Sequence, residues 1–241
     1  MMEQQPINQP TVNSPLEAVQ KIILEPNQVF ARLKDVSNWS WIPFILVMFF
    51  AILPSYYYFQ MIDFDWYVNM LLGTQGDMSP AEEDFFRNSM NPDAMLPATI
   101  ATIIIGFVVI TAVMAFYLSK ITQIDEENTM TFGDWYGFMW WASLPLVVTS
   151  IASLLIMLIA GHPEMEPTAL NPFNLTFLLG MDMNSDWFTL TQNISIDNFW
   201  CMYLIAVGVS QWTNLTSKQC YMIACAPYAI IWGVWALFIL L

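Results

Sequence analysis

The sequence predicts an all-α polytopic membrane protein, a five-transmembrane-helix bundle with short amphipathic N-terminal helices. Three observations predict it. The run Ile42 to Ile62, IPFILVMFFAILPSYYYFQMI, carries no charged side chain. At ~1.5 Å per residue it reaches ~31 Å as a helix, about the hydrocarbon thickness of a bilayer. The 241 residues are 57% hydrophobic and 11% charged, against about 25% charged in an ordinary soluble domain. Further apolar stretches recur at about 97–119, 136–160, 198–213 and 219–241, with the acidic residues collected between them.

Residues 1–13 are rich in Gln, Asn and Pro and are expected to be a disordered tail. Residues 14–41 form an amphipathic lead-in. Ser14-Pro15-Leu16-Glu17 has the chemistry of a helix start, and Leu16, Val19, Ile22 and Ile23 follow at helical spacing. Pro26 interrupts the pattern, and Val29, Phe30 and Leu33 resume it. Two short helices lying along the membrane surface fit this pattern, and so does packing against the protein's own spans.

The membrane domain, 42–241, follows. Its first span, 42–62, is bracketed by Trp39 and Trp41 before it and by Tyr56, Tyr57 and Tyr58 near its far end, where amphipathic rings favour the headgroup level. Residues 63–96 read as a polar connection, with a surface helix near 80–89 started by Ser79-Pro80-Ala81-Glu82. The spans 97–119 and 136–160 come next, joined by a connection holding Asp125, Glu126, Glu127 and Asp134. Within the loop 161–197, Asn171-Pro172 is placed to cap a short helix over 173–179 that Gly180 would end. Spans 198–213 and 219–241 complete the count. Pro54, Pro145 and Pro227 fall inside spans, where each removes a backbone hydrogen bond and bends its helix, so they mark a possible groove. Gly133-x-x-x-Gly137 and Ala206-x-x-x-Ser210 offer close helix approach.

Basic residues set the orientation. Lys21, Arg32, Lys34, Lys120 and Lys218 lie on the side of the N-terminus, and only Arg87 lies on the other. This bias places the N-terminus in the cytoplasm and, with five spans, the C-terminus outside. No cleavable signal is expected, because the first apolar run is too long for an h-region.

The formal charge of −14 argues against nucleic acid as a partner. Cys201, Cys220 and Cys225 lie in apolar segments with no CxxC, a pattern of packing residues and not of a disulfide framework. His162 is the only histidine, and no nucleophile, P-loop or dinucleotide fingerprint accompanies it, so no enzyme activity and no cofactor are expected. Asp182-Met-Asn184-Ser-Asp186 opens like a calcium loop. Trp187 and Asn193 then stand where that loop needs Gly and Glu. His162 with Met165, Met181 and Met183 could supply soft copper ligands; in a Met-rich chain they are read as incidental. The central parts of the spans hold no ionisable group, which speaks against proton-coupled transport.

A set of local patterns carries a family resemblance. Leu24-Glu25-Pro26-Asn27-Gln28-Val29-Phe30 precedes a span opening Trp41-Ile42-Pro43. Thr131-Phe132 leads into Trp140-Trp141-Ala142-Ser143-Leu144-Pro145. Asn171-Pro172-Phe173 precedes Asp197-Asn198-Phe199-Trp200. In this order the chain resembles the YIP family, the Ypt/Rab-interacting membrane proteins, in its bacterial branch. The resemblance implies five helices, a cytosolic N-terminus and no catalytic residues, in a multi-pass protein of the bacterial cytoplasmic (inner) membrane. Eukaryotic relatives act with small GTPases and partner membrane proteins. This chain departs from them in lacking their Asp-Leu-x-Gly-Pro pattern.

The expected function is partner binding or membrane organisation; the alternative is a carrier or accessory subunit for a lipid or other apolar small molecule. Expected partners are membrane lipids, and another membrane protein or a second copy. Interfacial or partner contacts are expected at Phe30, Leu33, Trp39, Trp41, Phe173 and Phe177.

Overall fold

The computed structural model describes residues 12–241; the tail expected over 1–13 lies almost wholly outside the described residues. Several short helices begin where a side chain satisfies an orphan amide. In α1 (Pro15–Lys21) the Ser14 hydroxyl accepts from the Glu17 amide at 3.2 Å. α2 (Pro26–Leu33) starts on Pro26, whose missing N–H costs nothing at a first helical position. α3 (Trp41–Met61) is the first long apolar helix.

The segment expected to be merely polar also folds. Asp63 caps α4 (Phe64–Leu72), which buries Val68, and Ser79 and Glu82 cap α5 (Pro80–Ser89) reciprocally. α6 (Pro92–Ile121) begins before Pro97, which it accommodates in its second turn.

Thr131 and Asp134 form a second reciprocal cap at the start of α7 (Phe132–Ala142). The stretch expected as one span over 136–160 is two helices. α7 ends at Ser143, and Pro145 opens α8 (Pro145–Ala160). Pro145 has no N–H, and its ring would collide with the carbonyl of residue 141 in a continuous helix. Pro145 is therefore a helix start, while Pro54 and Pro227 stay inside their helices.

Short α9 (Leu175–Leu179) and α10 (Phe188–Gln192) precede α11 (Ile196–Trp212) and α12 (Ser217–Leu240). All these elements are helical; an isolated antiparallel bridge joins Asn174 to Ser195.

Among the described residues four helical stretches are long and apolar enough to cross a membrane: Trp41–Met61, Pro92–Ile124, Phe132–Ala160 and Ser217–Leu240. The expected fourth span, 198–213, corresponds to α11, which is shorter at 17 residues. The count by length is thus four.

The chain divides into two compact units. The first takes residues up to Ile45 with Thr111–Leu144 and Trp200–Pro227; the second takes Leu46–Ile110, Pro145–Phe199 and Tyr228–Leu241. The first has an aromatic core in which Phe30, Trp135, Phe138, Trp140 and Trp141 are almost fully buried. The second centres on Tyr58, Ile62, Met157, Met165 and Ala169.

Candidate functional site

In the first unit the lead-in is part of the core. Val29 and Phe30 are fully buried on one face of α2, and Leu33 nearly so. The Phe30 ring meets Phe138 of α7 at 4.9 Å between centroids, and Phe138 meets Trp212 of α11 at 5.0 Å. The Trp212 indole N–H donates to the Phe30 carbonyl at 2.8 Å. This satisfies a buried donor and fixes α2 against α11 at once. Gly208 makes the approach possible. A Cβ there would stand 2.1 Å from Phe138 Cε2 and 3.0 Å from Phe30 Cδ1.

Polar contacts close the margin of the same unit. The Gln211 amide donates to Asn27 Oδ1 at 3.2 Å. Asn214 donates its backbone N–H to Asp125 and its side-chain amide to Glu127, both at 2.8 Å. The expected close-approach pair Gly133 and Gly137 divides in role. A Cβ on Gly137 would lie 2.7 Å from Ser40 Oγ, whereas one on Gly133 would make only ordinary contact.

Phe30 and Leu33, expected at a lipid or partner surface, are instead closed off against the chain itself. Trp41 remains 64% exposed, and Trp39 is half-buried. An apolar cavity of about 300 Å³ in this unit is lined by residues including Tyr117, Ile121, Ile124, Leu215, Met222 and Ile223.

In the second unit the long loop is held by hydrogen bonds. The Leu175 amide donates to the Ile194 carbonyl at 2.9 Å and the Ile196 amide to the Phe173 carbonyl at 3.0 Å, on either side of the Asn174–Ser195 bridge. The Ser195 hydroxyl reaches both Asn171 Oδ1 and the Asp197 carboxylate, and Ser195 and Asp197 are each about 2% exposed. The resemblance motifs at 171–173 and 197–200 thus meet across this bridge. Asn171 starts the turn through the Phe173 amide, but the cap of α9 is Asn174, whose Oδ1 accepts from Phe177 at 2.8 Å. Gly180 ends α9 at φ +60°, a conformation open to glycine.

A neighbouring cavity of about 660 Å³ is lined by residues including Met70, Glu166, Phe177, Met181, Asp182 and Met183. Met165 is not among them. It is buried, and its carbonyl accepts from the Tyr58 hydroxyl at 2.7 Å, so the set of His162 with three methionines is not brought together at this cavity. Phe173 and Phe177 are half-buried. None of Pro54, Pro145 and Pro227 lines either cavity. Among the described residues no three His, Cys, Asp or Glu side chains are grouped to hold a metal ion.

Gly208 and Ser195 were not singled out from the sequence. The available signal was modest, a lone glycine inside an apolar run and a serine two residues before an acid at a helix start.

Four helical stretches long and apolar enough to cross a bilayer, with a buried aromatic core and exposed apolar faces, define a multi-pass integral membrane protein built of helices. The sequence pattern of the Yip1 domain matches residues 21–240, and the chain belongs to that family. No curated protein and no solved structure matches it.

Proposed function

We propose that the chain is a non-enzymatic, five-span protein of the bacterial cytoplasmic membrane that binds a partner membrane protein or organises the bilayer around it. Its N-terminus faces the cytoplasm and its C-terminus the outside, as the distribution of Lys and Arg favours. α11 serves as the fourth of five spans: 17 residues extend ~26 Å, at the short end of what a bilayer accepts.

The observation that carries the reading is the openness of two long helices. Only 11% of the most apolar stretch of α12 is buried within the chain, and 17% of that of α6. Ile230, Ile231, Val234, Leu237 and Phe238 of α12 are all exposed, and Gly233 has no atom within 4 Å of a would-be Cβ. Such faces are available to lipid or to another membrane protein. The carrier alternative draws on the 300 Å³ apolar cavity, whose lining suits an acyl or other hydrocarbon group.

Purification in native nanodiscs followed by mass spectrometry separates the readings. A stoichiometric protein partner, lost when Gly233 and Val234 are replaced by Trp, is the expected result. One retained apolar molecule that Ile223→Trp expels, with no protein partner, would overturn it in favour of the carrier.

A further inference from the structure

We propose that Arg32 holds the phosphodiester of a membrane phospholipid at the start of the first span. The chain has 20 acidic residues against 6 basic ones, so a basic side chain would be expected to find a carboxylate. Among the described residues the ion pair formed is Lys21 with Glu17, at 2.9 Å. Arg32 has none, although Asp35 follows three residues later and Glu25 opens the same helix. Its Nε is buried and has no hydrogen-bond acceptor among the described residues. A buried donor of this kind is costly unless something accepts from it.

The guanidinium is nonetheless held in place. It stands over the Trp39 ring, 5.9 Å from the centroid. A cation–π contact of this kind uses none of the guanidinium's N–H donors as conventional hydrogen bonds. Those donors form a fork that matches the oxygens of a phosphate.

The location selects the source of the phosphate. Arg32 lies in the last turn of α2, nine residues before α3 begins at Trp41, which is 64% exposed. Tryptophans at the mouth of a span sit at headgroup depth. Lys21, Arg32, Lys34, Lys120 and Lys218 all belong to this unit and Arg87 alone to the other, so five of the six basic residues are gathered in the unit that holds Arg32. A phospholipid headgroup is the anion present at that depth at effectively unlimited concentration. The proposal rests on the reading of α3 as a span, and holds for either orientation of the chain.

The test uses the full chain in nanodiscs of phosphatidylglycerol and phosphatidylcholine, released into native mass spectrometry. The wild type is expected to retain about one phospholipid per chain that Arg32→Gln loses about tenfold more readily, the scale of losing a hydrogen bond to a charged group. Arg32→Lys, which keeps the charge without the fork, should fall between. Lys218→Gln removes a charge elsewhere in the unit and should match the wild type. Millimolar inorganic phosphate should not displace the lipid; displacement would assign the site to a free anion and overturn the proposal. Equal retention by wild type and Arg32→Gln would overturn it too, provided both variants melt alike. Protease protection of α3 reports the span separately, so its failure is distinguishable from failure of the site.

Discussion

The two units solve the same problem by different chemistry. The first closes with rings: Phe138 meets Phe30, Trp135 and Trp212, and Trp135 meets Trp212, in tilted or edge-on contacts with centroids 4.9 to 5.2 Å apart, and most of its polar contacts lie at the margin. The second closes its long loop with single hydrogen bonds, through Ser195, Asn171, Asp197 and Tyr58. The difference follows from what each must hold. A short amphipathic lead-in has an apolar face to bury, and burial is non-directional, so rings can capture it. A long loop gives up Met165 and Ala169 to the apolar centre, and directional bonds to buried carbonyls and carboxylates fix the course of the rest. The first unit should therefore respond to volume, and the second to the loss of one polar atom.

The largest effect should come from Phe30→Ala. Removing a fully buried ring should cost about 3–5 kcal/mol. It should expose the link between α1 and α2 to protease while the loop 161–195 stays protected. Gly208→Ala tests the same core by addition. With Phe138 Cε2 2.1 Å from the new methyl, a loss of about 1–3 kcal/mol is expected in a detergent melt. Gly233→Ala, with nothing nearby, should leave the melt unchanged.

In the second unit Ser195→Ala removes one oxygen and almost no volume. It leaves Asp197 buried without its hydroxyl partner, at a cost of about 1–3 kcal/mol. Hydrogen exchange should quicken in α9 and not in α2. Asn174→Ala strips the α9 cap and should cost about 1 kcal/mol, seen as exchange at the Phe177 amide.

The smallest effect is a pH dependence confined to α1. The Asn13 amide and then Lys21 hold the Glu17 carboxyl below its ordinary range. That contribution is present above the unfolded carboxyl range and is lost as pH falls below it through the depressed value. The Glu17 hydrogen bond raises Lys21, so its contribution is present below the ordinary lysine range, about 10, and is lost as pH rises through the raised value. Amide protection in α1, taken relative to the intrinsic exchange rate at each pH, should be greatest between these limits, and Glu17→Gln should flatten the profile.

What the sequence made legible was local. The Ser14 and Ser79 starts and the Gly180 stop depend on residues within four positions of each other, and they stand where the pattern put them. Long apolar runs announced the spanning helices for the same reason. The errors came where another segment decides. Gly208 matters only because Phe30 and Phe138 arrive from far along the chain. Ser195 matters because Asn171 and Asp197 flank it in space. α4 was hidden by the acids at 63 and 65, although Phe64, Trp66 and Val68 supply an apolar side. Phe30 and Leu33 read equally well as lipid-facing or core, because amphipathicity names a face without naming what covers it.

The central claim is that the lead-in is docked on the helices of its own chain. Asn27 and Gln211, whose side chains are hydrogen-bonded at 3.2 Å, give the most direct test. Both would be replaced by cysteine in a chain freed of Cys201, Cys220 and Cys225, then treated in native membranes with a short thiol-specific cross-linker. The account predicts near-complete linkage that Phe30→Ala abolishes. Two cysteines that each react with a single-ended reagent but never link to each other would contradict it.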